Sequence, residues 1–253
     1  MTPTYRILER VSMASLTGYQ FVDSLTATAI GQSLNVFAFS ATEPDVQYPG
    51  SPNPSGFYIF KTFPSFQATV LASDPNGGYL PLQFDASATA SGSAVPLFVS
   101  SASPLANGLA TVRARLLDAI TGLPGAWALL DLSRGGQTWT GLADESGSVV
   151  VLLPYPEPVH FGVSSISGGT PVPLNKQRWT FSVAVRYHRW PDLRSIPRTP
   201  RLSDLNLLPL GRLWNEPSAT TPFGLATLEY GNELILRSRD TSGHETSVLL
   251  LTP

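Results

Sequence analysis

The sequence predicts an all-β protein of tandem sandwich domains with a C-terminal arm and β-meander. Three observations predict it. Short runs rich in β-branched and aromatic residues recur along the chain. Between them lie turn-forming clusters drawn from 21 glycines and 23 prolines, a density that breaks helices and confines strands to brief segments. An Asp-x-(Leu/Ile)-Thr signature occurs twice, at Asp23 and Asp118, each time leading into an apolar run.

The expected strands, in chain order, are Leu34 to Phe39, Gly56 to Phe63, Ala110 to Asp118, Ala126 to Leu132, Ser148 to Pro154 and Trp179 to His188. In the third, Val112, Ala114 and Leu116 alternate with Arg113 and Arg115, which predicts one buried and one wet face. No long amphipathic helix is evident. The best short candidate begins at Leu202, with Ser203 as its cap and Pro209 as its stop. Three strands near Leu225 to Glu229, Glu233 to Arg237 and Thr246 to Leu251, turned at Gly231-Asn232 and Ser242-Gly243, make the closing meander.

The two Asp signatures extend into a longer correspondence. Each is followed by a small-residue turn, a strand, a polar interval, then Ser-Gly and another strand ending in proline. Gly56 falls 33 positions after Asp23, and Gly147 falls 29 after Asp118, a difference one loop insertion explains. Asp118 and Thr121 are suited to bond nearby backbone, Gly122 to take a positive φ, and Pro124 to restrain entry into the next strand. The chain therefore divides into residues 1–104, 105–189 and an extended arm with meander at 190–253.

The second copy resembles the carboxypeptidase regulatory-like domain. Val112, Asp118, Thr121, Gly122, Pro124, Ala126, Asp144 and Gly147 carry the resemblance, which departs where Thr140 to Asp144 stand in place of a tight Thr-Asp. A degenerate copy spans residues 16 to 100. The resemblance implies two tandem transthyretin/Ig-like β-sandwiches serving as non-catalytic spacers or docking modules, with no active-site residue to carry over. The tandem arrangement with "GGYLPLQF" between copies also resembles structural proteins of contractile injection systems and phage-tail-like particles.

Of 253 residues, 42% are apolar and only 13% charged, so the surface rests on uncharged polar groups, which are easily buried against a partner. A net charge of −2 argues against nucleic acid. Local charge is different: Lys176, Arg178, Arg186, Arg189, Arg194, Arg198 and Arg201 face the single Asp192 within residues 176–201. Arginine desolvates more readily than lysine and forms bidentate pairs, which suits docking. The expected docking residues are accordingly Arg186, Arg189, Trp190, Arg194, Arg198, Arg201 and Trp214. They lie on or beside an irregular connector that either reaches onto a neighbour, anchored by Trp190, Leu193, Leu207, Leu208 and Trp214, or folds back on its own sandwich.

With no cysteine, disulfides, thiolate sites and cysteine nucleophiles are excluded. His160, His188 and His244 are scattered, and no hydrolase elbow, Walker loop or zinc motif is present. No catalytic residue, cofactor or metal is expected. A calcium ion at "ADESG" would lack oxygen ligands. The expected partners are other protein subunits, a homo-oligomer among them, without membrane insertion; synthesis is expected in the cytoplasm, since no secretory leader is legible. The alternative is a glycan- or surface-binding module presenting Tyr187 and Trp190.

Overall fold

The computed structural model describes residues 17–30, 34–43, 45–61, 68–86, 89, 91–103, 108–157, 173–216, 219–240, 242–246 and 248–253. The described chain is all-β, with one five-residue helix, α1 (Leu202–Asn206), and two single 3₁₀ turns. His160 and the end of the expected strand at Thr62 and Phe63 lie outside the described residues.

The first eight strands are β1 (Thr17–Asp23), β2 (Asn35–Ser40), β3 (Gln47–Pro49), β4 (Ser51–Pro52), β5 (Phe57–Phe60), β6 (Ala68–Ser73), β7 (Leu82–Asp85) and β8 (Ala94–Leu97). They form two sheets, ordered β4-β5-β1-β8 and β3-β2-β6-β7. Strict alternation aims Tyr19, Phe21, Tyr58, Phe60, Val95 and Leu97 from one sheet at Val36, Ala38, Val70, Ala72, Leu82 and Phe84 from the other. Tyr19 meets the Phe84 ring edge-on with centroids 4.9 Å apart, and Phe21 meets Tyr58 at 5.5 Å.

The remaining strands are β9 (Leu109–Asp118), β10 (Leu129–Arg134), β11 (Gln137–Leu142), β12 (Ser148–Pro154), β13 (Arg178–Arg186), β14 (Leu210–Trp214), β15 (Leu225–Glu229), β16 (Leu234–Ile235), β17 (Ser238–Arg239), β18 (Glu245–Thr246) and β19 (Leu249–Thr252). Their main path runs β11-β10-β13-β14-β19-β9-β12, with β15 added to β13 and β16 to β9, while β17 and β18 pair with each other. Val112, Ala114 and Leu116 enter the core, and Arg115 is exposed.

Residues 190–253, expected as an arm and meander, contribute strands to the sheets of the second half. β14 and β15 extend the sheet of β13, and β19 lies parallel to β9. Leu213, Ala226, Leu228, Leu236, Leu249 and Leu251 fill the same core as Val112 and Leu130. The closing strands therefore complete the second core.

The two halves share connectivity. β1 pairs antiparallel with β5 and parallel with β8; β9 pairs the same way with β12 and β19. β2 pairs with β3 and β6, and β6 with β7; β10 pairs with β11 and β13, and β13 with β14.

The turns match at single-residue level. Asp23 N–H bonds Thr28 O at 2.9 Å and Asp118 N–H bonds Leu123 O at 2.8 Å. Asp23 Oδ1 accepts from the N–H groups of Leu25 and Thr26, and Asp118 Oδ1 from those of Ile120 and Thr121. Four positions after each aspartate, φ is positive: 54° at Ala27 and 69° at Gly122. Farther on, Asn53 Oδ1 accepts from Ser55 and Phe57 N–H, as Asp144 Oδ1 does from Ser146 and Ser148 N–H.

Candidate functional site

Asp118 is fully buried at the end of β9. Besides its two turn amides, it accepts Tyr187 OH at 3.1 Å and Arg189 Nε at 2.9 Å on Oδ2. Burial alone would raise its pKa. The hydrogen bonds from Thr121 N–H, Arg189, Ile120 N–H and Tyr187 OH outweigh that and lower it to about 2. Burial, then the adjacent carboxylate, pushes the Tyr187 phenol well above the ordinary tyrosine value. In the first half, Tyr79 OH donates to Asp23 Oδ2 at 2.9 Å; burial and that carboxylate push Tyr79 up to about 12. These aspartates are committed to turns and to their tyrosines.

From Tyr187 the chain runs as a strap back across the first core. Trp190 Nε1 donates to Ala126 O at 3.1 Å, Trp127 Nε1 to Pro197 O at 2.7 Å, and Gln83 N–H to Pro200 O at 3.0 Å. The last contact, with the bridge between Gln83 and Arg201, covers the open edge of β7. Leu205 of α1 is 3% exposed inside the first core, and Ile196, Leu202 and Leu208 pack against it. Of the two courses open to this connector, the structure takes the fold-back. The α1 cap is corrected too: Arg201 occupies the cap position without a side-chain bond, and Ser203 Oγ instead donates to Asp204 at 3.2 Å.

The second half contributes Ala126, Trp127, Leu129 and Leu142 to the first core. Trp127 is the bolt between them. It is 4% exposed and held at φ 60°, a left-handed conformation rare for a bulky side chain. Its ring burial and its bond to Pro197 hold it there. The sequence reading missed Trp127 as a joint because a tryptophan in "GAWALLD" looks like an ordinary strand residue; the adjoining Pro-Gly was the one sign of irregular backbone.

The expected docking residues divide sharply. Arg186 is bidentate to Asp131 at 3.0 and 3.2 Å, Arg189 is spent on Asp118, and Trp190 is spent on the strap. Trp214 sits in β14 and donates to Thr252 Oγ1 at 2.9 Å. Arg194, Arg198 and Arg201 are exposed on the strap. On the same connector and at the start of β14, Leu193, Leu207 and Leu210 are 63%, 80% and 75% exposed. A cleft of about 350 Å³ opens there, lined by Trp127, His188, Trp190, Pro197, Arg201 and Leu208 among others.

Tyr187, expected on a glycan platform with Trp190, is fully buried and presents no face to a sugar. A separate groove of about 530 Å³ holds Arg134, Gln137, Trp139, Tyr155 and Glu157. His188 stands edge-on to Trp190 with centroids 5.0 Å apart, and His244 Nδ1 lies 3.6 Å from Asp240. Among the described residues no group of three His, Asp or Glu side chains gathers at metal-binding distance. No helix among them is long and apolar enough to cross a membrane.

No family model and no curated protein matches the chain. Among solved structures it is similar to GBS52, the minor pilin of the Gram-positive pathogen Streptococcus agalactiae, at 8% identity and a TM-score of 0.24. That alignment covers 70% of this chain and 84% of that chain. A likeness so distant carries no inference about fold or role.

Proposed function

We propose that the chain is a non-enzymatic structural subunit that docks into a larger protein assembly. Its two halves are tandem sandwiches of the transthyretin-like, carboxypeptidase regulatory-like kind, clamped into one spacer. The observation that carries the reading is the clamp: Trp127 and the strap set side chains of the second half into the core of the first, a device that fixes geometry between units and leaves the reactive side chains as turn locks. The repeated strand order and turn geometry support a duplicated domain. The low charge of the surface supports burial against neighbours. A contractile injection or phage-tail-like particle is the assembly that the sequence resemblance suggests.

The test is native isolation from the source cells with the subunit tagged, followed by imaging of the material that sediments with it. A fixed copy number at repeating positions of one particle supports the reading. A tagged chain found wholly as free monomer overturns it.

One observation favours a second reading, a glycan- or surface-binding module. Trp139 and Tyr155 line an open groove with Arg134, Gln137 and Glu157, a mixture of ring faces and hydrogen-bonding groups suited to sugars. A glycan array probed with the native chain and with Trp139→Ala separates this reading from the first, because an architectural subunit gives no signal that depends on Trp139.

A further inference from the structure

We propose that the cleft beside the strap docks an acidic segment of another protein that carries a leucine or aromatic anchor, with Arg194, Arg198 and Arg201 selecting it by charge. The proposal deepens the docking role proposed above and rests on it.

Arg113, Arg178, Arg186, Arg189 and Arg237 each hold a carboxylate within 3.0 Å. Arg194, Arg198 and Arg201 are exposed and make no ion pair with any described residue. The two acids on the same segment are occupied locally: Asp192 accepts Ser195 N–H at 2.9 Å, and Asp204 accepts the Ser203 hydroxyl. Three guanidiniums therefore stand on a pinned backbone with no carboxylate partner among the described residues. Guanidinium matches carboxylate in a planar fork and desolvates at lower cost than ammonium, so the fitting partner is acidic.

Apolar surface supplies the second half. Leu207 and Leu210 are the two most exposed large aliphatic residues described, and Leu193 adjoins Arg194. Leu207 lines the cleft together with Trp127, Trp190, Pro197 and Leu208, and Arg201 and Asp204 are its charged lining residues. Aromatic walls around a small cavity suit an inserted apolar side chain, with surrounding charge setting partner choice and encounter rate. Nucleic acid would use the arginines and leave Leu207 and Leu210 in water, so the pairing of both features favours a polypeptide. The backbone is already fixed by Trp127, Gln83 and Trp190, so docking there orders little new chain.

The experiment is selection of a random dodecapeptide display library on the full chain, with depletion on an Arg198→Glu/Arg201→Glu double variant. Enriched peptides are expected to be net acidic with at least one Leu, Phe or Trp. Their binding should weaken about tenfold or more in the double variant and about tenfold between 0.1 and 0.5 M salt. Leu207→Ser, an exposed change that leaves the core intact, should weaken the same peptides. Enrichment without acidic excess, equal binding to the double variant, or equal competition by single-stranded DNA of matched charge would each overturn the proposal. An empty selection overturns it as well. Should the tagged chain still occupy repeating positions in a native particle, only the assignment of this face fails and the structural role stands.

Discussion

Tyr187 donates its phenolic hydrogen to Asp118 across 3.1 Å, with both residues sealed from solvent. The pair joins the end of β13 to the end of β9, and Arg189 completes it from the start of the strap. Asp118→Ala removes the carboxylate that pairs with the partly buried Arg189 guanidinium and frees two turn amides. It is expected to cost about 3 kcal/mol in urea unfolding. Asp23→Ala, where Tyr79 is present but no arginine joins, should cost about 1 to 2 kcal/mol.

The same carboxylate sets a pH dependence. Its folded-state pKa, about 2, lies below its unfolded value near 3.8, so its contribution is complete above pH 4 and is lost as pH falls through 2. About 2 kcal/mol should disappear over that window. Urea midpoints measured from pH 5 to pH 2 check this, and Asp118→Asn should flatten that part of the profile.

Trp127→Ala is expected to loosen the joint between the halves. Loss of so large a buried ring costs about 3 to 5 kcal/mol, and the strap loses its Pro197 anchor as well. Trypsin should then cut after Arg194, Arg198 or Arg201 at rates well above those of the unaltered chain, with fragments read by mass spectrometry. Equal rates would mean that the strap is held by other contacts.

Two glycine exchanges test the repeated turn. Ala27 and Gly122 occupy the same left-handed position, so Ala27→Gly should gain up to about 1 kcal/mol while Gly122→Ala loses about that much. Gly147→Ala should be worse. Its φ is 79°, and an added Cβ would overlap the Leu116 carbonyl oxygen, so a loss above about 2 kcal/mol is expected in thermal unfolding.

Much of this was legible in the residues because turns are local. Asp23, Asp118, Asn53 and Asp144 bond amides two to four positions away, and such bonds leave a compositional trace. The alternation of Val112, Ala114 and Leu116 likewise gave the buried face of β9. What escaped was long-range. Nothing near Leu249 announces that it lies parallel to Leu116, and nothing near Leu205 places it in a core begun at Tyr19. Three of the seven expected docking residues are arginines still facing water. Arg186, Arg189, Trp190 and Trp214 found partners within the chain because Asp131, Asp118, Ala126 and Thr252 converge on them only after folding.

The parallel pairing of β1 with β8, together with the insertion of Trp127 and Leu205, has a consequence for biosynthesis. A nascent chain released up to residue 104 would hold every strand of its first layer pair yet leave an apolar opening where the tryptophan and leucine belong. That opening closes only after α1 has cleared the ribosome, so the amino-terminal half must wait, unfinished and adhesive, for most of its own translation.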